Sequence, residues 1–399
     1  MRKIADWDTH SVLFVNYSRF GDGSTVSLWR IAEWVAHRGL RAGIAGAPNH
    51  WLRERLVGST VAFHPADIPM LRRSSSPAYY AIFLLRFLRA TLSIFRIIRR
   101  AEYRVIHVNT SPNLAGILGA LAAGRSPLWH VHELRIQSPT AFRLLRLFPR
   151  FLASVVICPS RAVAAQFPSR KKLLLPNVVP DRWLDRPCEN LPNLHVRLGL
   201  GRGGTIMLWV GGIAPRKGLD RLLSALESWP QEEHPAGLAI VCDVAGRYRP
   251  LFTELKRTSE SCRCPVRFFE KVTEVRPWYC AADLLVQTSL MPEAFGLTVL
   301  EGMAGGASVV CPASGGMAEF VRHGISAHVV DPGDSVALRE ALMLVAGNRA
   351  YAARLAEGGK RTARQFTASA VLPRLLEVYE RIESAEGRKG ARSGKKLRG

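Results

Sequence analysis

The chain lacks several features that would point to other kinds of protein. It has no window of about 18 uncharged apolar residues, the length a membrane-spanning helix needs. Its most hydrophobic region, residues 79–98, is interrupted by Arg86, Arg89 and Arg96. The opening MRKIADWDTH has no apolar core of the kind a secretory signal carries, so a cytoplasmic protein is expected. Cysteine is scarce: seven residues, odd in number and scattered, make no disulfide framework and suit a reducing compartment. Cys262 and Cys264 are the one close pair, and without a matching second pair they do not read as a zinc site. The loop SRFGDGST contains Gly21-Asp22-Gly23 but not the third glycine of GxGxxG, which argues against a nicotinamide enzyme. No cluster of paired aspartates ends a strand, so neither a metal nor a bound cofactor is expected.

At 399 residues, 48% hydrophobic and 22% charged, the chain is a folded protein too long for one ordinary core. Its net charge of +23 is unevenly placed. Residues 1–180 hold 25 Lys and Arg against 8 Asp and Glu, residues 181–386 hold 24 of each, and the last 13 residues add six basic ones. A protein that coats nucleic acid along its length has no reason to keep one half neutral, and aromatic-rich basic motifs are missing, so no nucleic-acid partner is expected.

Buried strands alternate with amphipathic segments in both halves. In the first, VLFVN (12–16), RVIHVN (104–109), PLWHVHE (127–133) and SVVICPS (154–160) read as strands, and a helix is expected over residues 26–38. Residues 176–204, rich in Pro, Asn and Gly, read as a linker, after which TIMLWVGG (205–212) restarts the pattern. This is an α/β chain of two Rossmann-like domains: residues 1–180, residues 181–386, and a basic tail 387–399 expected to lack structure. In such folds ligands bind at the carboxyl ends of the strands, here expected in a cleft between the domains.

Two stretches carry chemistry. In LVQTSLMPEAFGLTVLEGM, Glu293 sits in a loop after a strand and Gly296 at a helix start, whose free backbone N–H groups suit a phosphate. Glu301 falls about one turn inside that helix, where a carboxylate accepts both hydroxyls of a ribose. In VGGIAPRKG (210–218), Arg216 and Lys217 precede another helix and can hold a diphosphate by charge-assisted hydrogen bonds. Of His130 and His132, one is expected to pack against the sheet. His132, at the strand end, is the candidate site residue.

Taken in order, VGGIAPRKGLDRLLSAL, AGRYRP, VRFFEKV and AADLLVQTSLMPEAFGLTVLEGMAGGASVVCPASGGMAEFV resemble the family 4 retaining glycosyltransferases of GT-B architecture. The first half resembles them more loosely, through the glycine loop, VIHVN, VHEL, VICPS and PNVV. The resemblance implies that Glu301 binds the ribose of a nucleoside diphosphate sugar and that Glu293 and His132 face the donor sugar as catalytic residues. It places Lys217 and the backbone of Phe295, Gly296 and Leu297 on the diphosphate or sugar, and Gly23 in the loop facing the phosphates. Many relatives carry an arginine where this chain has Gly212; either Arg216 supplies that charge or donor affinity is weaker.

The expected activity is transfer of a hexosyl unit, with retention, to a hydroxyl of a glycan or lipid-linked acceptor in envelope or exopolysaccharide synthesis. Another GT-B enzyme, such as a sugar-nucleotide epimerase, is the alternative; a glycosidase and a nucleic-acid binder are the more distant rivals. Arg86, Arg89, Ser93, Arg96 and Arg100 line one side of a helix, opposite Phe83, Leu84, Phe87, Leu88, Leu92, Phe95 and Ile98. That helix, and a second segment at 141–151, can meet an anionic membrane surface or can pack on the sheet with a solvated arginine face.

Overall fold

The computed structural model describes residues 10–18, 21–48, 51–71, 76–134, 148–169, 171–200, 204–232 and 235–396. Most of the second basic segment, 141–147, and Arg19 and Phe20 of the glycine loop lie outside them. The chain forms two compact units, residues 1–178 with 371–399, and residues 179–370.

The first unit is built on seven parallel strands: β1 (Ser11–Val15), β2 (Arg41–Gly46), β3 (Ala62–Pro65), β4 (Val105–Asn109), β5 (Leu128–His130), β6 (Val155–Cys158) and β7 (Lys172–Leu174), in the order β3-β2-β1-β4-β5-β6-β7. Val12 to Val15 and Val105 to Val108 are buried on both faces, as a parallel sheet covered by helices requires. The first helix runs Gly23–Ala36, three residues earlier than its apolar periodicity suggests, because the Asp22 carboxylate accepts the Thr25 N–H and caps it. β2, β3 and β7 escape the sequence pattern, being short and in part lacking the β-branched residues that mark strands.

The long helix Pro77–Arg100 buries Ala90, Ile94 and Ile98. It lies on helix Leu114–Ala122 where Gly119 leaves room: a Cβ there would come within 2.8 Å of Ile94. The first half of the long helix keeps its aliphatic residues in solvent, with Ile82, Leu84, Leu85 and Leu88 each at least half exposed.

The second unit has six parallel strands: β8 (Thr205–Gly212), β9 (Ala236–Asp243), β10 (Val266–Glu270), β11 (Leu284–Val286), β12 (Ser308–Cys311) and β13 (His328–Val329), in the order β10-β9-β8-β11-β12-β13. One face of the sheet packs on Val299, Leu300, Met303 and Tyr279, the other on Leu222, Leu226, Leu338 and Leu342. The linker is not extended coil throughout. Trp183, Leu194 and Leu198 from its short helices Arg182–Asp185 and Leu194–Leu198 are buried in this unit's core.

The C-terminal helix, Pro373–Lys396, belongs with the first unit, so residues 371–386 are not part of the second as the linear boundary has it. The cause is burial. Leu375 and Tyr379 are fully enclosed, the Tyr379 hydroxyl meets His107 on β4 at 2.7 Å, and Glu383 meets His10. The same helix runs through the basic tail to Lys396, where no structure was expected. Among the described residues no helix is long and apolar enough to cross a membrane, and the seven cysteines are unpaired.

Candidate active site

In the second unit, β8 ends in Gly211 and Gly212, and the chain turns through Pro215–Lys217 before the helix Leu219–Glu227. Gly218 makes that turn possible with φ +66°, and a Cβ on it would lie 2.1 Å from the Thr288 carbonyl. The turn is tied to the β11 loop from both sides. Leu290 N–H donates to the Arg216 carbonyl at 2.9 Å, and the Thr288 hydroxyl donates to the Lys217 carbonyl at 2.8 Å. The Trp209 indole N–H in turn donates to that hydroxyl at 3.1 Å. The Lys217 backbone is therefore held on two neighbouring strands of the sheet.

Its side chain reaches Glu293. Lys217 Nζ lies 2.6 Å from Glu293 Oε1, the Ser289 hydroxyl donates to the same oxygen at 2.6 Å, and an Arg216 Nη1 stands 3.6 Å away. Burial alone would push the Glu293 carboxyl up. The Lys217 ammonium, the Lys217 and Ser289 hydrogen bonds and Arg216 outweigh it and hold the group below the usual carboxylate range. Arg216 is half exposed and Lys217 largely enclosed, so the two cations differ in how firmly they are placed.

The Glu293 backbone bridges to Gly315, and Gly316 N–H donates to the Glu293 carbonyl at 2.8 Å. A Cβ on Gly315 would stand 2.3 Å from that carbonyl, so the glycine pair is what lets the two loops touch. Gly296, at φ +93°, begins the helix Leu297–Gly305; a Cβ on it would strike the Met317 side chain at 2.2 Å. Phe295 anchors the start by stacking on Phe320 at 5.1 Å between ring centroids. Glu301 is nearly buried on the same helix, and its Oε2 accepts the Tyr279 hydroxyl at 2.8 Å. Lys217, Arg216 and Glu293 thus form one bonded group between the loops after β8 and β11, and the Phe295–Leu297 turn and Glu301 follow Glu293 along the chain on the helix that begins there. A cavity of about 990 Å³ lies beside the linker and helix Arg276–Ala281, and none of these residues lines it.

In the first unit, His132 stands two residues past the end of β5 and is half-buried. His130, the packed one of the pair, is fully enclosed; its ring lies 4.0 Å from that of His132. Burial lowers His132 to about 4, against the pull of Asp22. Gly23 is the first helical residue, and a Cβ on it would meet nothing within 4 Å. Gly21 is the glycine under close approach, with the Trp51 indole 2.8 Å from its would-be Cβ.

Two residues here went unnoticed in the sequence. Asp22 caps the first helix and also accepts the Ser18 hydroxyl at 2.7 Å; an Asp before an apolar helical run was the available signal. Glu133, next to His132, accepts from Ser111 N–H at 3.0 Å, from the Ser111 hydroxyl, and from His132 N–H at 3.1 Å. Burial pushes its carboxyl up, against those hydrogen bonds. No spacing rule marks it.

A family model described as glycosyl transferases group 1 matches residues 204–348, and one for the glycosyl transferase 4-like domain matches residues 22–175. A D-inositol 3-phosphate glycosyltransferase of Nocardioides sp. is 32% identical over 231 residues, 54% of this chain and 50% of that protein. A lipopolysaccharide 1,2-N-acetylglucosaminetransferase of Salmonella typhimurium is 25% identical over 215 residues, 50% of this chain and 56% of that protein. The matches thus span about half the length of these curated relatives. Among solved structures, Anabaena HepE in complex with UDP and glucose is similar over 93% of this chain and 99% of that chain, with a TM-score of 0.78 and 21% identity, a likeness of fold.

Proposed function

Because the chain belongs to the glycosyl transferase group 1 family and has the GT-B fold, we propose that it is a retaining glycosyltransferase. It takes a hexosyl unit from a nucleoside diphosphate sugar and places it on a hydroxyl of a glycan or lipid-linked acceptor. The observation that carries this reading is the Lys217–Glu293 pair beside the helix start at Gly296, with Glu301 on the same helix.

Glycosyl transfer builds negative charge on the departing diphosphate, and oriented cations and amides lower that barrier. Lys217 and Arg216 supply the cations, and the Phe295–Leu297 turn supplies the helix start. Glu301 accepts the ribose hydroxyls, and its bond from Tyr279 sets the carboxylate's orientation beforehand. Glu293, held ionised by Lys217, accepts hydroxyls of the transferred sugar. When a diphosphate arrives, Lys217 is shared between it and Glu293, which draws sugar and phosphate towards one cation. No metal or further cofactor is assigned to this step. His132 and Gly23 are assigned to the donor sugar and its phosphates by the family resemblance alone.

UDP is the first nucleotide to try, because HepE was crystallised with it. Acceptors carrying secondary hydroxyls suit the relatives' names, an inositol phosphate and a lipopolysaccharide. The half-exposed Ile82, Leu84, Leu85 and Leu88, on a helix that also carries Arg89, Arg96, Arg99 and Arg100, support docking of the first unit on an anionic membrane that holds the acceptor. Release of nucleoside diphosphate from a panel of donor sugars, with and without glycan or glycolipid acceptor, tests the reading. Acceptor-dependent release supports it, whereas donor conversion without any acceptor would favour an epimerase.

A further inference from the structure

β1, β4 and β5 lie side by side, with Phe14 opposite His107 and Asn109 opposite His130. Their side chains make a row of polar groups inside the first unit, where apolar ones would be ordinary: Asn16, His107, Asn109 and His130 are all fully buried.

The protons in this row can be placed. Asn109 Nδ2 lies 3.2 Å from the Ser24 backbone carbonyl and 3.1 Å from Asn16 Oδ1. A carbonyl only accepts, so the amide must point its NH2 there and its Oδ1 the other way. Asn16 is fixed by the same logic, since its Nδ2 donates to the Ser18 carbonyl at 3.2 Å. Asn109 Oδ1 then faces His132 Nε2 at 3.0 Å, and an oxygen so placed requires Nε2 to carry the hydrogen. Nδ1 is left with its lone pair, and it meets no donor among the described residues.

The His132 ring is also backed by a buried column. His130 lies 4.0 Å from it, centroid to centroid, with the planes 34° apart. His130 Nδ1 is 3.1 Å from His107 Nε2, and His107 Nδ1 is 2.7 Å from the Tyr379 hydroxyl on the C-terminal helix. His130 Nε2 ends the column, buried and without a partner. Whether Tyr379 donates or accepts, each histidine in the column holds one proton, and the column is neutral. An apolar set would fill this space without an orphaned nitrogen, so the row needs a reason beyond packing.

We propose that Asn109 is a positioning residue that holds the His132 ring in its Nε2–H tautomer and that the column Tyr379–His107–His130 backs the ring and fixes its plane, with the Nδ1 lone pair presented to a hydroxyl of the sugar being transferred. The ligand in this statement rests on the glycosyltransferase reading; the lock on the ring does not. His132 is a hydrogen-bond acceptor here and not a cation for phosphate. Tyr379 gives the chain's last helix a part in the site despite its distance in sequence.

The test is long-range 15N imidazole spectroscopy of the full chain labelled at histidine, at neutral pH without ligand, together with donor turnover. In wild type, His132 shows the Nε2–H pattern. Asn109→Asp, an isosteric change, puts a carboxylate at Nε2 and turns the ring doubly protonated, and kcat falls at least tenfold. Tyr379→Phe leaves the fold intact by thermal melting and loosens the ring that backs His132, with kcat down several-fold and nucleotide affinity within twofold of wild type. An Nδ1–H or mixed pattern in wild type, which depends on no variant folding, overturns the lock. A Tyr379→Phe protein with unchanged kcat removes the column from the proposal. If the wild-type pattern is as stated but no nucleoside diphosphate sugar is turned over, the lock stands and the sugar assignment falls.

Discussion

Lys217 Nζ and Glu293 Oε1 are 2.6 Å apart, joining a turn after β8 to a loop after β11 across 76 residues of sequence. The pair places a cation and an ionised carboxylate together where the fold also starts a helix at Gly296. If Lys217 grips a diphosphate, Lys217→Met removes a charge-assisted hydrogen bond of about 1.5–3 kcal/mol and weakens UDP or GDP binding about 10- to 100-fold. Titration calorimetry reads this directly. A dissociation constant within twofold of wild type would leave Lys217 as a partner of Glu293 alone.

Glu293 and Lys217 also set a pH dependence. The folded carboxyl lies below its ordinary value, so its contribution is complete above the unfolded-state value of about 4.3 and is lost as pH falls through the folded one. Glu293→Gln is expected to melt at a temperature less sensitive to pH below about 4.3 than wild type. Parallel melting curves across that range would show that the pair does not stabilise the fold.

The first unit responds to acid at a higher pH. Burial lowers His107 to about 3 and His132 to about 4, and His130 well below the ordinary 6.5. The groups facing them are the three rings themselves, Tyr379, Asp22 and, next in sequence, Glu133. The unfolded chain takes up these protons first, so stability is full above about 6.5 and declines as pH falls towards 4. Denaturant melts at pH 7 and pH 5 should show wild type losing more than His107→Phe over that interval. Equal losses would mean that His107 is protonated in the folded state.

Gly218→Ala tests the turn that carries Lys217. With φ +66° and the Thr288 carbonyl 2.1 Å from the new Cβ, the turn must move. The cost is about 1–3 kcal/mol of stability, and Lys217 is displaced with it. A variant with wild-type melting and wild-type nucleotide affinity would contradict this account of the turn.

Much of this was legible in advance, for physical reasons that differ from residue to residue. The strand–loop–helix runs around Lys217 and Glu293 are long, apolar and punctuated by glycines, so periodicity finds them. Asn109, His107 and Tyr379 were not singled out. A polar residue within a strand looks the same whether its partner is water or another buried side chain, and Tyr379 lies 272 residues from the histidine it meets. The end of the second unit was misplaced for a related reason. The final helix reads as a continuation of its neighbours until Tyr379 is seen packed against β4. The arginine line on helix Pro77–Arg100 was legible, whereas the solvent exposure of Ile82 to Leu88 depends on what packs against the helix.

That exposure gives the membrane prediction. Co-sedimentation with liposomes is expected to rise with anionic lipid content and to fall with salt, and a Leu84→Asp, Leu88→Asp double variant should lose most binding at unchanged melting temperature. Binding indifferent to lipid charge would remove the membrane from the account.

The most direct measurement is the thermal shift of wild type, Glu301→Ala and Tyr279→Phe with UDP, GDP and their sugars. Wild type should be stabilised by one nucleotide series, Glu301→Ala by little or none of it, and Tyr279→Phe by an intermediate amount, because the Tyr279 hydroxyl orients the carboxylate proposed to accept the ribose. Stabilisation by no nucleotide, or by the same amount in all three proteins, would contradict the claim that Glu301 and its helix form a nucleoside diphosphate sugar site.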